Sequence, residues 1–468
     1  MKYKYSTPQM KWLICVCFIV GVFFFCDSGS PQVSAWNKVP EILSRIVPPV
    51  FPDQDFSITD FGAVGDGESD CTAAIQSAVK ACSKAGGGRV VIPAGIYMTG
   101  AIHLKSNICL HIEKNATLRF SQDLKKYLPL VFTRFEGVEL MNYSPFIYAF
   151  EQENLAVTGE GTLDGQGDPS HWWNWTGSVM YGWKPGMPNQ RHDRDSLFQM
   201  AEEGIPPEKR VFGEGHFLRV NFVQFYRCKN ILVEGITVVR SPMWEIHPVL
   251  SDNITVRNLR IDSHGPNNDG CNPESSKNVL IEACYFDTGD DCIAIKSGRN
   301  ADGRRIDVPS ENIIVRKCRM KDGHGGVVIG SEISGNCRYV YTEDCVMDSP
   351  NLDNALRIKT NSSRGGVVEN IYMRNVEIGE VKYAVLRVNF NYENGDIGNF
   401  TPIVRDIFIQ NVTSRKSRYA LYLDGYKRSP ITDITIENCR FDGVQEGDIL
   451  NFVDNLIMKD VYINGKLQ

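Results

Sequence analysis

Short segments in which apolar and polar residues alternate recur along the second half of the chain. The copies from Asn230 onward reach an apolar residue or a cysteine at their seventh position, as in NILVEGI from Asn230 and NVLIEAC from Asn278. The copies start at Asn154, Asn230, Asn253, Asn278, Asn312, Tyr339, Asn370, Asp406, Asp433 and Asn455. Alternation with a period of two residues predicts strands rather than helices. Their spacing from Asn230 onward, about 22 to 36 residues, is typical of solenoids.

This repeat predicts an all-β fold, a single right-handed parallel β-helix with about three short strands per coil. Coils stack about 4.8 Å apart, so residues that are distant in sequence become neighbours. The seventh repeat position is expected to point inward as a ladder of small apolar side chains, which makes its cysteines core residues rather than disulfide partners. This position holds Ile236, Leu259, Cys284, Cys318, Cys345, Val376, Val412, Cys439 and Val461.

Two segments interrupt or precede the repeat. Ser69 or Asp70 is expected to cap an amphipathic helix that runs through Ala81 and covers the open end of the solenoid. Residues 165–215 are predicted to be a long insertion. Its tryptophans are Trp172, Trp173, Trp175 and Trp183. These rings either stack on sugar faces or, as is usual for large aromatic residues in long loops, pack the insertion onto the coils.

The N-terminal segment indicates entry into the secretory pathway. Lysines precede an apolar run from Trp12 to Cys26, which is short for a membrane span. Residues 1–35 are predicted to be a signal peptide or an uncleaved signal anchor, residues 36–55 a linker and residues 56–468 the parallel β-helix domain. We expect an extracellular or cell-wall protein, or a membrane-anchored protein that faces the lumen or the outside. N-glycosylation triplets begin at Asn115, Asn142, Asn174, Asn253, Asn361, Asn399 and Asn411.

Composition limits the classes of partner. The formal net charge is −6 and the chain has no basic tail, so we expect no nucleic-acid partner. The protein is also expected to be a monomer. Eleven of the 14 cysteines lie beyond the N-terminal run, and an odd number leaves at least one unpaired. Disulfides that involve Cys71, Cys82 or Cys337 remain open. The absence of CxxC pairs and of zinc-like histidine spacing argues against a metal cluster.

Acidic and basic residues gather on one outer ridge when the second strands of successive coils are aligned by their Ile and Val positions. Asp269 and Asp291 then share one register, and Asp290 aligns with His324 one coil away. The same ridge carries the cations Lys296, Arg357 and Lys359. Three crowded carboxylates repel one another, so at least one is expected to hold its proton to higher pH. This arrangement suits general acid/base chemistry on an acidic ligand.

The residue blocks on this ridge resemble the four signature blocks of the polygalacturonase family of glycoside hydrolases. The blocks are NNDG from Asn267, GDDC from Gly289, GHG from Gly323 and RIK from Arg357. The resemblance covers roughly Phe56 to the C-terminus, and the four blocks together are highly specific. It implies hydrolysis of α-1,4-galacturonosyl linkages in pectin, with a pectic polysaccharide as substrate and with no metal or cofactor.

The resemblance also implies a role for each residue. Asp290 protonates the glycosidic oxygen, Asp269 and Asp291 hold and deprotonate the attacking water, and His324 assists the acid. The implied or candidate substrate-binding residues are Arg357, Lys359, Lys296 and His247. The family inverts anomeric configuration, for which a carboxyl separation of about 6.5–9.5 Å is expected.

One difference between this chain and the signature blocks of the family concerns the choice between endo and exo action. Many endo-acting members have Asn-Thr-Asp in the first block, whereas this chain has Asn268 in place of the threonine. This form, His247 in WEIHP and the long insertions resemble exo-acting members, in which a loop that closes one end of the cleft restricts cleavage to chain ends. Rhamnogalacturonan and xylogalacturonan hydrolases, a pectate lyase on a similar solenoid and a non-catalytic pectin-binding wall protein remain alternatives.

Overall fold

Parallel strands from successive repeats stack into coils in the computed structural model, which describes Met1 and residues 36–468. The apolar run Trp12–Cys26 lies outside the described residues. The helices are α1 (Lys38–Arg45), α2 (Thr72–Lys84), α3 (Arg191–Glu202) and α4 (Asn300–Ile306), with 3₁₀ turns at Ile58–Phe61, Leu124–Tyr127, Trp173–Thr176, Val179–Tyr181 and Pro207–Lys209.

The strands of the N-terminal part are β1 (Asp55–Ser57), β2 (Asp66–Asp70), β3 (Gly88–Ile92), β4 (Gly95–Thr99), β5 (Ile102–His103), β6 (Ile108–Ile112), β7 (Ala116–Phe120), β8 (Val131–Phe135), β9 (Val138–Asn142), β10 (Ile147–Phe150), β11 (Glu153–Gly159), β12 (Thr162–Asp164), β13 (Val211–Phe212), β14 (Val223–Tyr226), β15 (Lys229–Glu234), β16 (Thr237–Val239), β17 (Ile246–Val249), β18 (Asp252–Arg257) and β19 (Arg260–Ser263). The C-terminal part continues with β20 (Lys277–Glu282), β21 (Tyr285–Thr288), β22 (Ile293–Ile295), β23 (Ser310–Arg316), β24 (Arg319–Met320), β25 (Val327–Gly330), β26 (Cys337–Glu343), β27 (Val346–Met347), β28 (Asn354–Lys359), β29 (Val367–Glu380), β30 (Ala384–Asn389), β31 (Ile403–Lys416), β32 (Tyr419–Asp424), β33 (Ile431–Phe441), β34 (Ile449–Asn451), β35 (Val453–Ile463) and β36 (Lys466–Leu467).

The sheets run along the stack of coils. Among the described residues, one sheet of 23 strands carries the repeated segments, and nearly all of its pairings are parallel. The strands β5, β10, β14 and β17 form a second sheet, and β22, β25, β28, β30, β32 and β34 form a third. Parallel bridges from Ile246 to Cys271 and from Cys271 to Ile293 connect these two sheets into one outer face. The predicted parallel β-helix is therefore confirmed.

The interior is filled by ladders of apolar side chains at equal positions in successive coils. Val376 pairs with Val412 and Cys439 pairs with Val461 in the parallel registers of β29–β31 and β33–β35. All members of the predicted seventh-position ladder are buried, with at most 2% exposure. The described cysteines, from Cys71 to Cys439, are all free and buried. The ladder prediction is confirmed, and Cys71, Cys82 and Cys337 form no disulfide in this structure.

The asparagine that begins each repeat has a conformational reason. Asn230, Asn253 and Asn278 adopt φ values of 57°, 58° and 53°, in the left-handed region that asparagine tolerates better than most residues. The side chains of Asn154, Asn230 and Asn253 form a ladder between coils, in which Asn253 Nδ2 donates to Asn230 Oδ1 at 2.8 Å and Asn230 Nδ2 donates to Asn154 Oδ1 at 2.8 Å. The repeat therefore marks a turn as well as a strand.

Helix α2 forms near the position that the sequence predicts. It begins at Thr72 after the N-cap Cys71 and ends at Lys84, so it lies slightly C-terminal to the predicted bounds. Asp70 Oδ1 accepts the backbone N–H of Thr72 at 3.0 Å. Helix α2 buries Ile75 and its apolar neighbours against the first coil.

The segment predicted as a linker contains helix α1. Val39 and Ile42 of this helix are buried, and the backbone N–H of Val47 donates to Asn253 Oδ1 at 2.9 Å. Residues 39–468 form one compact unit. Among the residues described, no helix is both long and apolar enough to span a membrane.

Trp172, Trp173 and Trp175 pack the insertion onto the coils, whereas Trp183 contacts Met187 and Arg191 within the insertion. Trp172 is buried, and its ring centroid lies 5.8 Å from that of Tyr127 and 4.9 Å from that of Trp175. Trp173 Nε1 donates to the backbone oxygen of Ser241 at 2.8 Å. The insertion also contains helix α3, which the sequence pattern does not predict.

The glycosylation triplets differ in accessibility. Asn142, Asn174 and Asn361 are buried, and their side-chain nitrogens donate to backbone oxygens, so a glycan on any of them is incompatible with this fold. Asn253 is half-buried in the asparagine ladder. The exposed acceptors are Asn115, Asn399 and Asn411.

Candidate active site

The structure brings the three predicted carboxylates together. One oxygen each of Asp269, Asp290 and Asp291 lies within 4.8 Å of the others. Asp269 and Asp291 head adjacent coils, and the backbone N–H of Gly270 donates to the backbone oxygen of Asp291 at 3.0 Å, which fixes their register. These side chains line a cavity of about 400 Å³ whose walls are mostly charged. The stacking of coils thus creates the acidic cluster that the sequence alignment predicts.

Two cations reach Asp291 across an intervening strand. Lys359 Nζ lies 2.8 Å from Asp291 Oδ2, and Arg357 Nη1 lies 3.9 Å from Oδ1. Asp291 Oδ1 is buried and has no hydrogen-bond partner among the described residues, so it can accept from a bound water. Gly325, on the coil between them, leaves this space open, since a Cβ there would lie 3.6 Å from Asp291 Oδ1 and 3.7 Å from the side chain of Arg357.

Asp290 is paired with the predicted histidine. His324 Nδ1 lies 3.0 Å from Asp290 Oδ1, and the imidazole is half-exposed at the cavity mouth. The hydrogen bond with Asp290 raises the pKa of His324 to about 9. Burial opposes the ionisation of Asp290, but the hydrogen bond and charge of His324 outweigh it and hold the pKa of Asp290 below its usual range. The pair therefore carries one proton at neutral pH, mainly on the imidazole.

Asp269 is the carboxyl that holds its proton in the crowded cluster. It is 2% exposed, and burial together with the neighbouring Asp290 charge raises its pKa well above the usual value. Asn272 Nδ2 donates to Asp269 Oδ2 at 2.7 Å. Lys296 Nζ lies 3.7 Å from the same oxygen but is bound more closely by Glu332, at 3.0 Å. The expected raised pKa thus falls on Asp269 in the free protein, and not on Asp290, to which the resemblance assigns the acid role.

The nearest oxygens of the three carboxylates lie closer together than the expected separation of the carboxyl groups. The nearest oxygens of the cluster lie within 4.8 Å, below the roughly 6.5–9.5 Å typical of inverting glycosidases. The physical reason is the spacing of coils, about 4.8 Å, which sets the distance between residues in one register. A water about 2.8 Å from each of two such oxygens still fits between them.

The same three oxygens are also a possible arrangement for a metal ion, and the surrounding charges weigh against one. Carboxylate oxygens are the ligands that hard divalent cations prefer. Here, however, Lys359, Lys296 and Arg357 already lie within 4.0 Å of Asp291 or Asp269. These positive charges balance the carboxylates and repel a cation, so the cluster fits proton transfer better than metal binding.

Two predicted features of the cleft have structural roles instead. His247 is fully buried, and its Nε2 lies 2.8 Å from Glu274 Oε2, so it does not face a ligand. Asn268 is also fully buried, where Oδ1 accepts the N–H of Gly265 at 2.7 Å and Nδ2 donates to the backbone oxygen of Ser241 at 3.1 Å. Asn268 therefore shapes the loop before Asp269 and contacts no ligand itself.

Sequence reasoning missed one wall of the cavity. Arg194 of helix α3 lies 2.7 Å from Glu136 in the β8–β9 turn. Arg299 connects Glu136 with Glu332 and Glu393, at 3.5, 3.2 and 3.5 Å. These residues come from five separate segments, and the only signal in the sequence was the length of the insertions. They form a charged wall beside Lys296.

Comparisons with known proteins agree with this site. The family model described as glycosyl hydrolases family 28 matches residues 218–457, and a model described as rhamnogalacturonase A/epimerase, pectate lyase-like, matches residues 56–111. A probable polygalacturonase of Vitis vinifera is 30% identical over 82% of this chain and 73% of its own length. An exo-poly-alpha-D-galacturonosidase of Dickeya chrysanthemi is 26% identical over 85% of this chain and 69% of its own.

A solved structure is similar to this chain over most of its length. The crystal structure of a hyperthermoactive exopolygalacturonase from Thermotoga maritima is 49% identical and superposes with a TM-score of 0.90, covering 93% of this chain and 97% of that chain. The family model spans more than half of the present chain and includes all three carboxylates. This chain is therefore a glycoside hydrolase that belongs to family 28 of the glycosyl hydrolases.

Proposed function

We propose that this protein is a polygalacturonase that releases galacturonate units from the ends of pectin chains. The observation that carries the proposal is a cluster of Asp269, Asp290 and Asp291 next to Arg357 and Lys359, in a cleft that is covered on one side. The carboxylates supply acid/base chemistry, and the cations bind a uronate. The structural relative from Thermotoga maritima, described as an exopolygalacturonase, supports the same activity.

The attacking water is held between Asp269 and Asp291. Asp291 Oδ1, which has no partner among the described residues, accepts one hydrogen of the water. As the water oxygen forms its bond to the anomeric carbon, its proton passes to the ionised carboxylate of this pair. Attack on the face opposite to the leaving oxygen inverts the configuration of the anomeric carbon.

The leaving oxygen receives its proton from the Asp290–His324 pair. The pair holds one proton up to about pH 9, the pKa of His324. When the glycosidic oxygen contacts Asp290, the proton moves from the imidazole to the carboxyl and then to that oxygen. The bond between the anomeric carbon and this oxygen breaks, and its electron pair stays on the oxygen. His324 is thus the proton store that compensates for the low pKa of Asp290.

Exo action is supported by the β8–β9 hairpin, which covers the outer face of the coils before Asp269. Thr133 Oγ1 donates to Gln224 Oε1 at 2.5 Å, and Arg134 Nη1 lies 3.1 Å from Glu274 Oε1. Gln224, two coils before Asp269, and Glu274, on the coil of Asp269 itself, are fully buried beneath this hairpin. A polymer therefore cannot continue past the carboxylates in this direction, so only a chain end fits.

Product analysis tests the reaction and its direction. With polygalacturonate, we expect monogalacturonate as the sole early product, with new reducing ends and no ultraviolet-absorbing double bonds. Pectin and rhamnogalacturonan, assayed in parallel, are expected to be cleaved more slowly. An early ladder of oligomers contradicts exo action, unsaturated products indicate a lyase, and preference for rhamnogalacturonan favours that alternative.

We also infer that the protein acts outside the cytosol. The lysine-flanked apolar run Trp12–Cys26 and the exposed triplets at Asn115, Asn399 and Asn411 support this proposal. Expressed in a eukaryotic secretory host, the protein is expected to lose mass on treatment with a glycosidase that removes N-glycans. N-terminal sequencing then distinguishes a cleaved signal peptide from an anchor. Unglycosylated protein that stays in the cytosol contradicts the inference.

A further inference from the structure

We propose that Arg387, held between Tyr383 and Tyr422, binds a second uronate of the polymer, one sugar beyond the unit bound by Arg357. The inference rests on the proposed polygalacturonase function and adds the path of the polymer. The part of the substrate that is not released then leaves the cleft over the C-terminal coils.

The first argument is register. Arg357, Arg387 and Tyr422 are successive Cα partners in the parallel strands β28, β30 and β32, and their side chains point outward. Arg387 therefore lies one coil, about 4.8 Å, beyond Arg357. One sugar of a 1,4-linked chain advances by a similar distance. A galacturonan that runs along the stack of coils presents one carboxylate to each arginine in turn.

The second argument is the state of the Arg387 guanidinium. It makes no ion pair with a carboxylate in the part of the chain that the structure describes, and its Nε is buried without a hydrogen-bond partner. Most exposed arginines of the outer surface are paired, as Arg418 is with Glu446 at 2.8 Å and Arg405 is with Glu369 at 2.6 Å. Burial and repulsion from Arg357 lower the pKa of Arg387. A substrate carboxylate supplies the missing negative charge.

The third argument is the aromatic setting. The Arg387 guanidinium lies 4.2 Å from the centroid of the Tyr383 ring and 5.1 Å from that of Tyr422. The ring of Tyr419 lies 5.3 Å from Tyr383 and 5.7 Å from Tyr422. Tyrosine rings of this kind hold the guanidinium plane in place and offer apolar faces to a sugar. Tyr383 and Tyr422 are half-buried, so these faces remain accessible.

The fourth argument is the lack of another path. The β8–β9 hairpin buries the outward side chains of the coils before Asp269, such as Gln224. On the other side of the carboxylates, Arg357 and Arg387 keep part of their surface exposed. A chain whose end lies at the carboxylates can therefore extend only toward Arg387.

The test compares substrates of different length in Arg387→Gln. Digalacturonate spans only the scissile bond, whereas trigalacturonate places a third unit at Arg387. We expect KM for trigalacturonate and polygalacturonate to rise about tenfold, the loss typical of one charge-assisted contact. The change in KM for digalacturonate is expected to stay within about twofold. Arg319→Gln, at an exposed arginine of strand β24 in another sheet, is the matched control for the lost charge.

A binding measurement makes the test independent of turnover. Calorimetry with Asp290→Asn is expected to give tighter binding of trigalacturonate than of digalacturonate, and the added Arg387→Gln is expected to remove that difference. Arg387→Lys, which keeps the charge, is expected to recover part of it. Equal losses for both lengths, or no loss for either, overturn the proposal. An unmodified protein that cleaves no galacturonan contradicts the proposed function instead, while the calorimetry still decides the role of Arg387.

Discussion

Replacing Asp290 with asparagine is expected to lower kcat on polygalacturonate about 10³-fold or more, near the upper range of general acid catalysis. The amide keeps the size of the side chain and can still accept from His324, but it cannot hold a transferable proton. Asp269, the carboxyl of the cluster that holds its own proton, binds the attacking water in this mechanism and therefore does not replace Asp290 as the acid. Initial rates with the polymer measure the effect.

A binding measurement distinguishes the loss of catalysis in Asp290→Asn from a loss of the folded state. The dissociation constant for oligogalacturonate is expected to change less than about threefold in Asp290→Asn, because Arg357 and Lys359 are untouched. The matched control is Asp262→Asn, which removes a half-exposed carboxylate that is paired with Arg260 outside the cleft. Activity of Asp290→Asn close to that of the control would falsify the assignment of the acid.

Replacing His324 with asparagine is expected to move the alkaline limb of kcat/KM from about pH 9 to below pH 7. The catalytic form carries a proton on the Asp290–His324 pair, so activity is present below the pKa of the pair and is lost as pH rises through it. Without the imidazole, the proton depends on a carboxyl whose ordinary pKa is 3.8. At pH 8 the variant is expected to lose about 100-fold in kcat/KM.

The pH profile distinguishes a proton store from a simple contact residue. A residue that only contacts substrate lowers kcat/KM at all pH values and leaves the limb in place. His264→Asn is the matched control, because His264 is half-exposed, lies 2.9 Å from Asp287 and is outside the cleft. An unshifted alkaline limb in His324→Asn contradicts the proton-store mechanism.

Much of the site can be predicted from the sequence, because successive coils of a solenoid repeat the same register. Once Ile293, Val327 and Leu356 are aligned as equivalent inward positions, the outward positions next to them follow by alternation. That rule places Asp290 beside His324 and aligns Lys296 with Lys359 before any coordinates are known. The parallel register of strands β28 and β30 in the structure places Arg387 next to Arg357.

The protonation states of the three carboxyl groups are harder to predict from the sequence. Alignment predicts that one carboxyl keeps its proton but does not say which one. Burial decides this question for Asp269, and a 3.0 Å contact with His324 decides the opposite outcome for Asp290. Both effects depend on distances between groups and on the exclusion of water, and the residue types alone specify neither of these.

The coil, the inward cysteine ladder and the row of catalytic side chains follow from the amino-acid sequence, because they depend on local alternation and on a repeated step. The burial of His247, the burial of the triplet asparagines Asn142 and Asn361 and the hairpin over one side of the cleft become visible only in the folded chain. These outcomes depend on where long insertions fold back onto the coils. Such contacts join residues far apart in sequence and leave no periodic pattern in it.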